Sequence, residues 1–197
     1  MRKLIANEWM TLDGVVQAPG YADEDTSGGF RQGGWHLQYF DDLARTWVVE
    51  GYGAAGGFVF GRRTYELLAS YWPNAPEEEE AVAGPLNTLP KYVASRTLNE
   101  PLEWSGSSLL GDDIPKAVAA LKQEDGRDLH VVGSSELMQT LVEHDLVDEL
   151  RLMIDPVVVG GGKRVFRDDG VLRSFRLVEG QTTTTGAFLA TYAMKEK

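Results

Sequence analysis

The sequence predicts an α/β fold: a mostly parallel central sheet with helices on both faces, finished by antiparallel C-terminal strands. Three observations carry that expectation. Through the first two-thirds of the chain, short apolar runs alternate with segments of helical periodicity, as parallel strands and their crossover helices do. In the last third the pattern changes to two-residue alternation around short turns. Several apolar runs end on Gly, Ser or Arg just before a helix starts, which is where open parallel sheets bind ligands.

Taken in order, Leu4-Ile5-Ala6 reads as a short buried first strand and Thr11-Leu12-Asp13-Gly14 as the turn after it. Residues 17–34 are rich in Gly, Asp and Ser and lack periodicity; a loop this long inside a compact domain is functional or mobile. Leu37, Phe40, Leu43, Ala44 and Trp47 recur at helical spacing. Phe58-Val59-Phe60 is a second buried strand, followed by a helix with Thr64 as its expected N-cap. Glu77 to Glu80 read as an acidic first helical turn, favoured by the helix dipole. Tyr92-Val93-Ala94 is a third strand ending at Ser95-Arg96, and Asp112-Asp113 cap a helix carrying Ile114, Val118 and Leu121. Leu129 to Val132 form a fourth strand, and Gly133-Ser134-Ser135 lead into a helix with Leu137, Met138, Leu141 and Val142 on one face. Leu150, Leu152 and Ile154, then Phe175 to Leu177 and Phe188 to Met194, alternate as half-buried strands, with Thr182 to Gly186 turn-like between the last two.

With 197 residues and 43% hydrophobic side chains, the chain suffices for one domain, expected to span 1–197. It contains no cysteine, which excludes disulfides, thiolate metal sites and a cysteine nucleophile. Its three histidines, His36, His130 and His144, lack ligand spacing, so no metal is expected. A net charge of −11 repels nucleic acid and anionic membranes. The N-terminus lacks a signal-peptide h-region and no run reaches the length of a membrane span, so a cytoplasmic location is expected.

Against that acidic background Arg62-Arg63 stand out, because cations at a helix N-terminus are mildly unfavourable unless an anion sits there. Gly51-Tyr52-Gly53-Ala54-Ala55-Gly56 matches GxGxxG, yet it precedes a strand instead of following one, so it reads as a helix-to-strand connection. Gly61-Arg62-Arg63-Thr64, Ser95-Arg96 and Gly133-Ser134-Ser135 each follow a predicted parallel strand. Singly these are surface arginines and a Ser-capped helix; together they suit a ligand with several phosphates, for which Arg is the better fork. Asp13, Asp41, Asp42 and Asp155 lie near strand ends or on the first helix. Gly160-Gly161-Gly162 before Lys163-Arg164 read equally as a second phosphate contact or a flexible turn.

These pieces, in this order, resemble the dihydrofolate reductase-like superfamily, and within it stand-alone proteins similar to the reductase domain of bacterial riboflavin biosynthesis. The resemblance spans nearly the whole chain. It rests on Leu12-Asp13-Gly14, Gly61-Arg62-Arg63-Thr64-Tyr65-Glu66, Ser95, Gly133-Ser134-Ser135-Glu136-Leu137 and Asp155-Pro156-Val157-Val158-Val159-Gly160-Gly161-Gly162.

The resemblance implies a three-layer fold and an oxidoreductase that binds NADPH across the strand ends. Gly61, Arg62, Arg63 and Thr64 would meet its phosphates, and Ser95 and Arg96 the adenosine 2′-phosphate. Gly133, Ser134, Ser135 and Glu136 would meet the pyrophosphate, with Leu137 behind them. The hydride acceptor would be a small heterocyclic or carbonyl compound, pyrimidine- or pterin-like, as for 5-amino-6-(5-phosphoribosylamino)uracil reductase. A protein that holds NADP or another nucleotide without turnover is the alternative. Asp42 and Asp13 are the expected catalytic carboxylates. Trp9 and Tyr39 are the expected substrate contacts, because they flank the 17–34 loop. That loop, with Tyr21, Phe30 and Trp35, reads equally as a lid that covers a bound ring and as a surface loop pinned by its aromatics to the core or to a dimer partner. The alternating C-terminal strands make a homodimer the expected assembly.

Overall fold

A computed structural model describes residues 1–195; Glu196 and Lys197 lie outside the described residues. The strands are β1 (Leu4–Thr11), β2 (Gly57–Gly61), β3 (Lys91–Ala94), β4 (Ser107–Leu109), β5 (Leu129–Val132), β6 (Glu149–Asp155), β7 (Phe175–Thr182) and β8 (Phe188–Met194). The helices are α1 (Asp42–Ala54), α2 (Arg62–Tyr71), α3 (Glu80–Thr88), α4 (Ile114–Gln123) and α5 (Ser135–Glu143). All eight strands form one sheet in the order β4-β3-β2-β5-β1-β6-β8-β7. β2 runs parallel to β3 and β5, and β3 to β4, whereas β8 is antiparallel to β6 and β7. The predicted α/β class, mostly parallel with antiparallel C-terminal strands, is therefore what the chain adopts.

The chain divides into two compact units, Met1–Ala6 with Val48–Asp148, and Asn7–Trp47 with Glu149–Lys197. In the first unit the apolar run of β2 is buried on both faces, as an interior parallel strand must be. Phe58 and Phe60 stack on one side at 5.8 Å, and Phe60 stacks on Trp104 at 6.1 Å. The connection from β2 to β3 steps one way along the sheet and that from β4 to β5 steps back the other way. Right-handed crossovers then put α2 and α4 on opposite faces.

Lys91, the first residue of β3, is wholly buried. Its Nζ donates to the carbonyls of Leu86, Leu89 and Asn87 at 2.8, 2.9 and 3.3 Å and lies 4.8 Å from the Trp104 ring centre. Three acceptors require three N–H groups, which only the ammonium form supplies. Burial pulls its pKa down to about 8, which still leaves it charged at neutral pH. The side chain thus satisfies carbonyls at the C-terminal end of α3. Replacing it by Met keeps the apolar stem but strands those acceptors, and is expected to cost about 2–4 kcal/mol. Thermal denaturation should show a fall of roughly 10 °C; an unchanged melting temperature would contradict this account of Lys91.

In the second unit, β7 and β8 form a hairpin closed by Thr183–Ala187, where Thr183 N donates to Ala187 O at 2.8 Å. Asp41 accepts from Thr184 N and Oγ1 at 2.8 and 2.7 Å and from Ala44 N at 3.0 Å, so one carboxylate ties the hairpin turn to the start of α1. Arg151 of β6 lies over the Trp47 ring at 3.9 Å and donates to its carbonyl.

Four boundaries differ from the sequence reading. β1 runs on to Thr11, because mixed residues such as Asn7 and Glu8 are buried as well. α1 starts at Asp42, after a separate 3₁₀ turn at Leu37–Tyr39, since Asp41 supplies the cap and Phe40 is extended. α2 is capped at Gly61 (φ −77°, ψ 160°), not Thr64, so both arginines sit in its first turn. β4 carries only three residues and has no alternation to betray it. The GxGxxG match falls on the end of α1 and the connection to β2, as expected; a Cβ on Gly56 would strike Arg127 O at 2.3 Å.

Candidate functional site

The first unit gathers every residue assigned to the nucleotide. β2 and β3 end in register, Gly61 opposite Ala94, and β5 pairs β2 on the other side with Val59 opposite Val131. The C-terminal ends of β3, β2 and β5 are therefore neighbours. The chain leaves β2 toward β3 but leaves β5 in the other direction along the sheet, so a topological switch point lies between β2 and β5.

Two helices start at this switch point. Among the described residues, neither N-cap residue, Gly61 of α2 nor Ser134 of α5, turns a side chain onto its helix's first-turn N–H groups. Gly133 (φ +58°) and Ser134 (φ +68°) are consecutive left-handed residues, a conformation that Ser adopts only at a cost. The bend is held from the side: Ser134 Oγ accepts from Gly61 N at 2.8 Å and donates to Thr64 Oγ1 at 2.6 Å. A Cβ on Gly61 would meet Ser134 Oγ at 2.8 Å, so glycine is required for this approach. The serine expected to cap α5 instead joins the two strand ends. Thr64 Oγ1 thus accepts a hydrogen bond here and does not cap α2.

Around this centre, Arg62 pairs with Glu66 at 2.9 Å across one helical turn, and Arg63 and Arg96 are exposed. An exposed i,i+4 pair holds its arginine by only ~0.3–0.5 kcal/mol, so Arg62 exchanges partners readily. Ser95 Oγ accepts from Thr97 N and Leu98 N at 3.1 and 3.0 Å, forming the turn that carries Arg96 past β3. Glu136 is exposed in the first turn of α5, and Leu137 is buried behind it. The donor set fits a nucleotide's phosphates: uncapped N–H groups, hydroxyls and guanidinium groups, with no acid in the first turn of α2.

In the second unit Asp13 accepts from Thr11 Oγ1 at 2.6 Å, Gly160 N at 3.0 Å and Val159 N at 3.3 Å. The Thr11 bond foremost, and the backbone bonds with it, hold its carboxyl below the usual range. A group so stabilised as an anion organises the turn. Asp42 stands exposed at the start of α1. Tyr39 is half-buried, its carbonyl accepting from Thr185 Oγ1 at 2.6 Å. Trp9 is half-buried with its ring 5.4 Å from that of His36.

The 17–34 loop is pinned. Gln17 Nε2 donates to Asp25 O and Ser27 O while its Oε1 accepts from Lys163 N; Lys163 Nζ pairs with Asp25 at 2.5 Å. Phe30 and Trp35 are buried with Val15 and Ala18, whereas Tyr21 is 56% exposed. Two of the three aromatics thus fill a small core of this unit, in place of covering a ligand. Gly160 N is engaged by Asp13 and Lys163 by Asp25, so the exposed Gly160–Gly162 stretch is a turn held at both ends. An open recess of about 480 Å³ separates it from Gly28 and Gly29.

One constellation has no sequence signal. His36 Nδ1 lies 2.8 Å from Asp155 Oδ2, 119 positions apart in the chain, with both side chains buried. Burial pushes the Asp155 carboxyl up, and the hydrogen bond and charge of His36 pull it back. Glu8 is also buried, its Oε1 without a hydrogen-bond partner among the described residues, and burial raises its pKa to about 8. Among the described residues no cluster of His, Cys, Asp and Glu is arranged to hold a metal, and no helix is long and apolar enough to cross a membrane.

The sequence model of the RibD C-terminal domain matches residues 2–189. The chain belongs to the RibD C-terminal domain family. It is 32% identical over 136 residues to YyaP, an uncharacterized protein of Bacillus subtilis (strain 168), covering 68% of this chain and 71% of that one. Its fold is similar to that of a pyrimidine reductase-like protein from Corynebacterium diphtheriae, with a TM-score of 0.69 at 14% identity over 100% of this chain and 93% of the other. It is also similar to a diaminohydroxyphosphoribosylaminopyrimidine deaminase/5-amino-6-(5-phosphoribosylamino)uracil reductase from Thermotoga maritima, with a TM-score of 0.64 and 16% identity. There the likeness covers 98% of this chain but 57% of that one. As a RibD C-terminal domain, the chain is matched from its first strand into its last.

Proposed function

We propose that this protein is an NADPH-dependent reductase of a small heterocyclic or carbonyl compound, with the cofactor's phosphates at the ends of β3, β2 and β5. The observation that carries the reading is the pair of uncapped helix N-termini at the switch point, bridged by Ser134 and flanked by Arg62, Arg63 and Arg96. Membership of the RibD C-terminal domain family supports it, as does the fold shared with a protein named for uracil-derivative reduction. Bound NADPH would supply the hydride. The chain's contribution is then to bind the phosphates, orient the nicotinamide and manage one proton. Gly133 lets the pyrophosphate approach the backbone. The N–H groups of Ser135 to Leu137 receive its charge, and the guanidinium groups favour the extra 2′-phosphate.

The reading predicts that Arg62→Ala combined with Arg63→Ala weakens NADPH binding at least tenfold by calorimetry and changes NADH binding much less. A charge-assisted contact to phosphate contributes about 1.5–3 kcal/mol. Equal loss for both cofactors would move the arginines to the shared pyrophosphate. Turnover is tested by following NADPH oxidation with 5-amino-6-(5-phosphoribosylamino)uracil and a panel of carbonyl compounds. Tight NADPH binding with no oxidation by any of them would favour a nucleotide-binding protein over a reductase.

A further inference from the structure

The recess between the Gly28–Gly29 turn and the Gly160–Gly162 stretch lies wholly within the second unit, and its volume of about 480 Å³ is in the range of small-molecule sites. Phe30 and Val159 give it an apolar wall, and Lys163 is its only charged lining residue among the described residues. Four of its five glycines have a reason inside the protein. Gly28, Gly29 and Gly160 are left-handed, at φ +69°, +77° and +78°. Gly162, at φ +124°, is also packed: a Cβ there would meet Val15 Cγ1 at 2.9 Å and the Phe30 ring at 3.0 Å. Gly161 has neither reason, since its φ lies outside the left-handed range and a Cβ would meet nothing within 4 Å. A glycine that neither backbone nor packing calls for is accounted for by close approach of something outside the chain. The backbone supplies the chemistry. Val159 N and Gly160 N donate to Asp13, so this turn already receives one anion. The next two groups, Gly161 N and Gly162 N, donate to no acceptor among the described residues. Successive N–H groups on a turn whose residues alternate in hand form a concavity that takes an anion.

We infer that this recess binds a small phosphorylated molecule, independently of the cofactor site in the first unit and of the reductase reading. The phosphate oxygens accept from Gly161 N and Gly162 N and pair with Lys163 Nζ. That ammonium group has three N–H donors, of which Asp25 takes one at 2.5 Å. Asp25 and Asp13 do not line the recess, and each is offset by a cation: Lys163 beside Asp25, and Arg164, which donates to the Asp13 carbonyl. A phosphate suits the three donors better than a carboxylate, because it presents three strong acceptor oxygens. The recess is larger than a bare phosphate needs, and Phe30 and Val159 give the organic body of the molecule an apolar surface to lie on. The missing side chain at Gly161 is what lets the phosphate reach the backbone. No bond is made or broken there; the site binds and does no chemistry.

The test follows the backbone amides of the full ¹⁵N-labelled chain, without NADPH, as glycerol 3-phosphate, inorganic phosphate or uncharged glycerol is added at constant ionic strength. Saturable shifts are expected at Gly161, Gly162 and Lys163, with half-saturation by glycerol 3-phosphate at about 1 mM. Inorganic phosphate should bind at least threefold more weakly, and glycerol should move nothing. Gly161→Val fills the approach with a side chain that the protein has room for. It should weaken glycerol 3-phosphate binding at least tenfold while melting within about 2 °C of the wild type. Lys163→Gln should weaken the same binding at least tenfold. Shifts that are absent, or that grow linearly to about 20 mM, overturn the site. Shifts confined to Gly133 to Leu137 put the anion at the switch point, which overturns this site and leaves the cofactor reading standing. Equal affinity for inorganic phosphate overturns the phosphorylated molecule in favour of the free ion. Affinity unchanged by Gly161→Val overturns the site even if Lys163→Gln, without its pair to Asp25, fails to fold.

Discussion

Gly133→Val is expected to abolish measurable NADPH binding, a loss of at least a hundredfold. Gly133 sits at φ +58° where β5 ends, and an added Cβ would find ordinary contact, 3.5 Å from the Thr64 side chain. Space is therefore not the obstacle inside the protein. The obstacles are the left-handed backbone, which a β-branched residue resists at about 1–2 kcal/mol or more, and the new side chain where the pyrophosphate would approach. The strain also predicts a fall of roughly 5 °C in melting temperature. Gly133→Asn separates the two effects, because Asn tolerates this conformation. It should melt close to wild type and still bind NADPH at least tenfold more weakly in calorimetry. If both variants bind normally, the end of β5 is not part of the cofactor site.

The second large effect concerns Glu8, buried in β1 with a pKa of about 8 against 4.5 for the free group. The folded state keeps a proton that the unfolded chain releases. Its contribution is therefore fully present below pH 4.5 and is lost as pH rises through about 8. The loss across that window is on the order of 4 kcal/mol. Glu8→Gln keeps the shape and removes the titration. Denaturant unfolding between pH 5 and pH 9 should show the wild type losing stability relative to the variant by several kcal/mol, with the variant the more stable at the alkaline end. Parallel curves would mean that Glu8 is ionised in the folded protein.

Much of the candidate site is legible because its signals are local. Gly61-Arg62-Arg63-Thr64 and Gly133-Ser134-Ser135 announce a strand end and a helix start in consecutive residues. What the sequence did not disclose is how the two are joined. Ser134 abandons its own helix to bridge Gly61 and Thr64, 73 and 70 residues away. Nor does the sequence disclose that Asp13 reaches the backbone of residues 146 and 147 positions away. The 17–34 loop reads as lid or pinned loop from its aromatics, and nothing in its composition reveals that Lys163 and Gln17 fasten it. His36 and Asp155 were invisible as a pair for the same reason: neither has a neighbour in sequence that hints at the other. Periodicity failed at β1 and β4, where burial of polar residues or a length of three leaves no pattern to count.

The account stands most directly on where NADPH binds. Titration of NADPH into ¹⁵N-labelled protein, read through backbone amide resonances, locates it without reference to any substrate. The largest shifts are predicted at Gly61 to Thr64, at Ser95 and Arg96, and at Gly133 to Leu137, with smaller changes at Ser95 and Arg96 when NADH replaces NADPH. No binding at millimolar NADPH, or shifts centred on another segment such as Gly51 to Gly56, would contradict it.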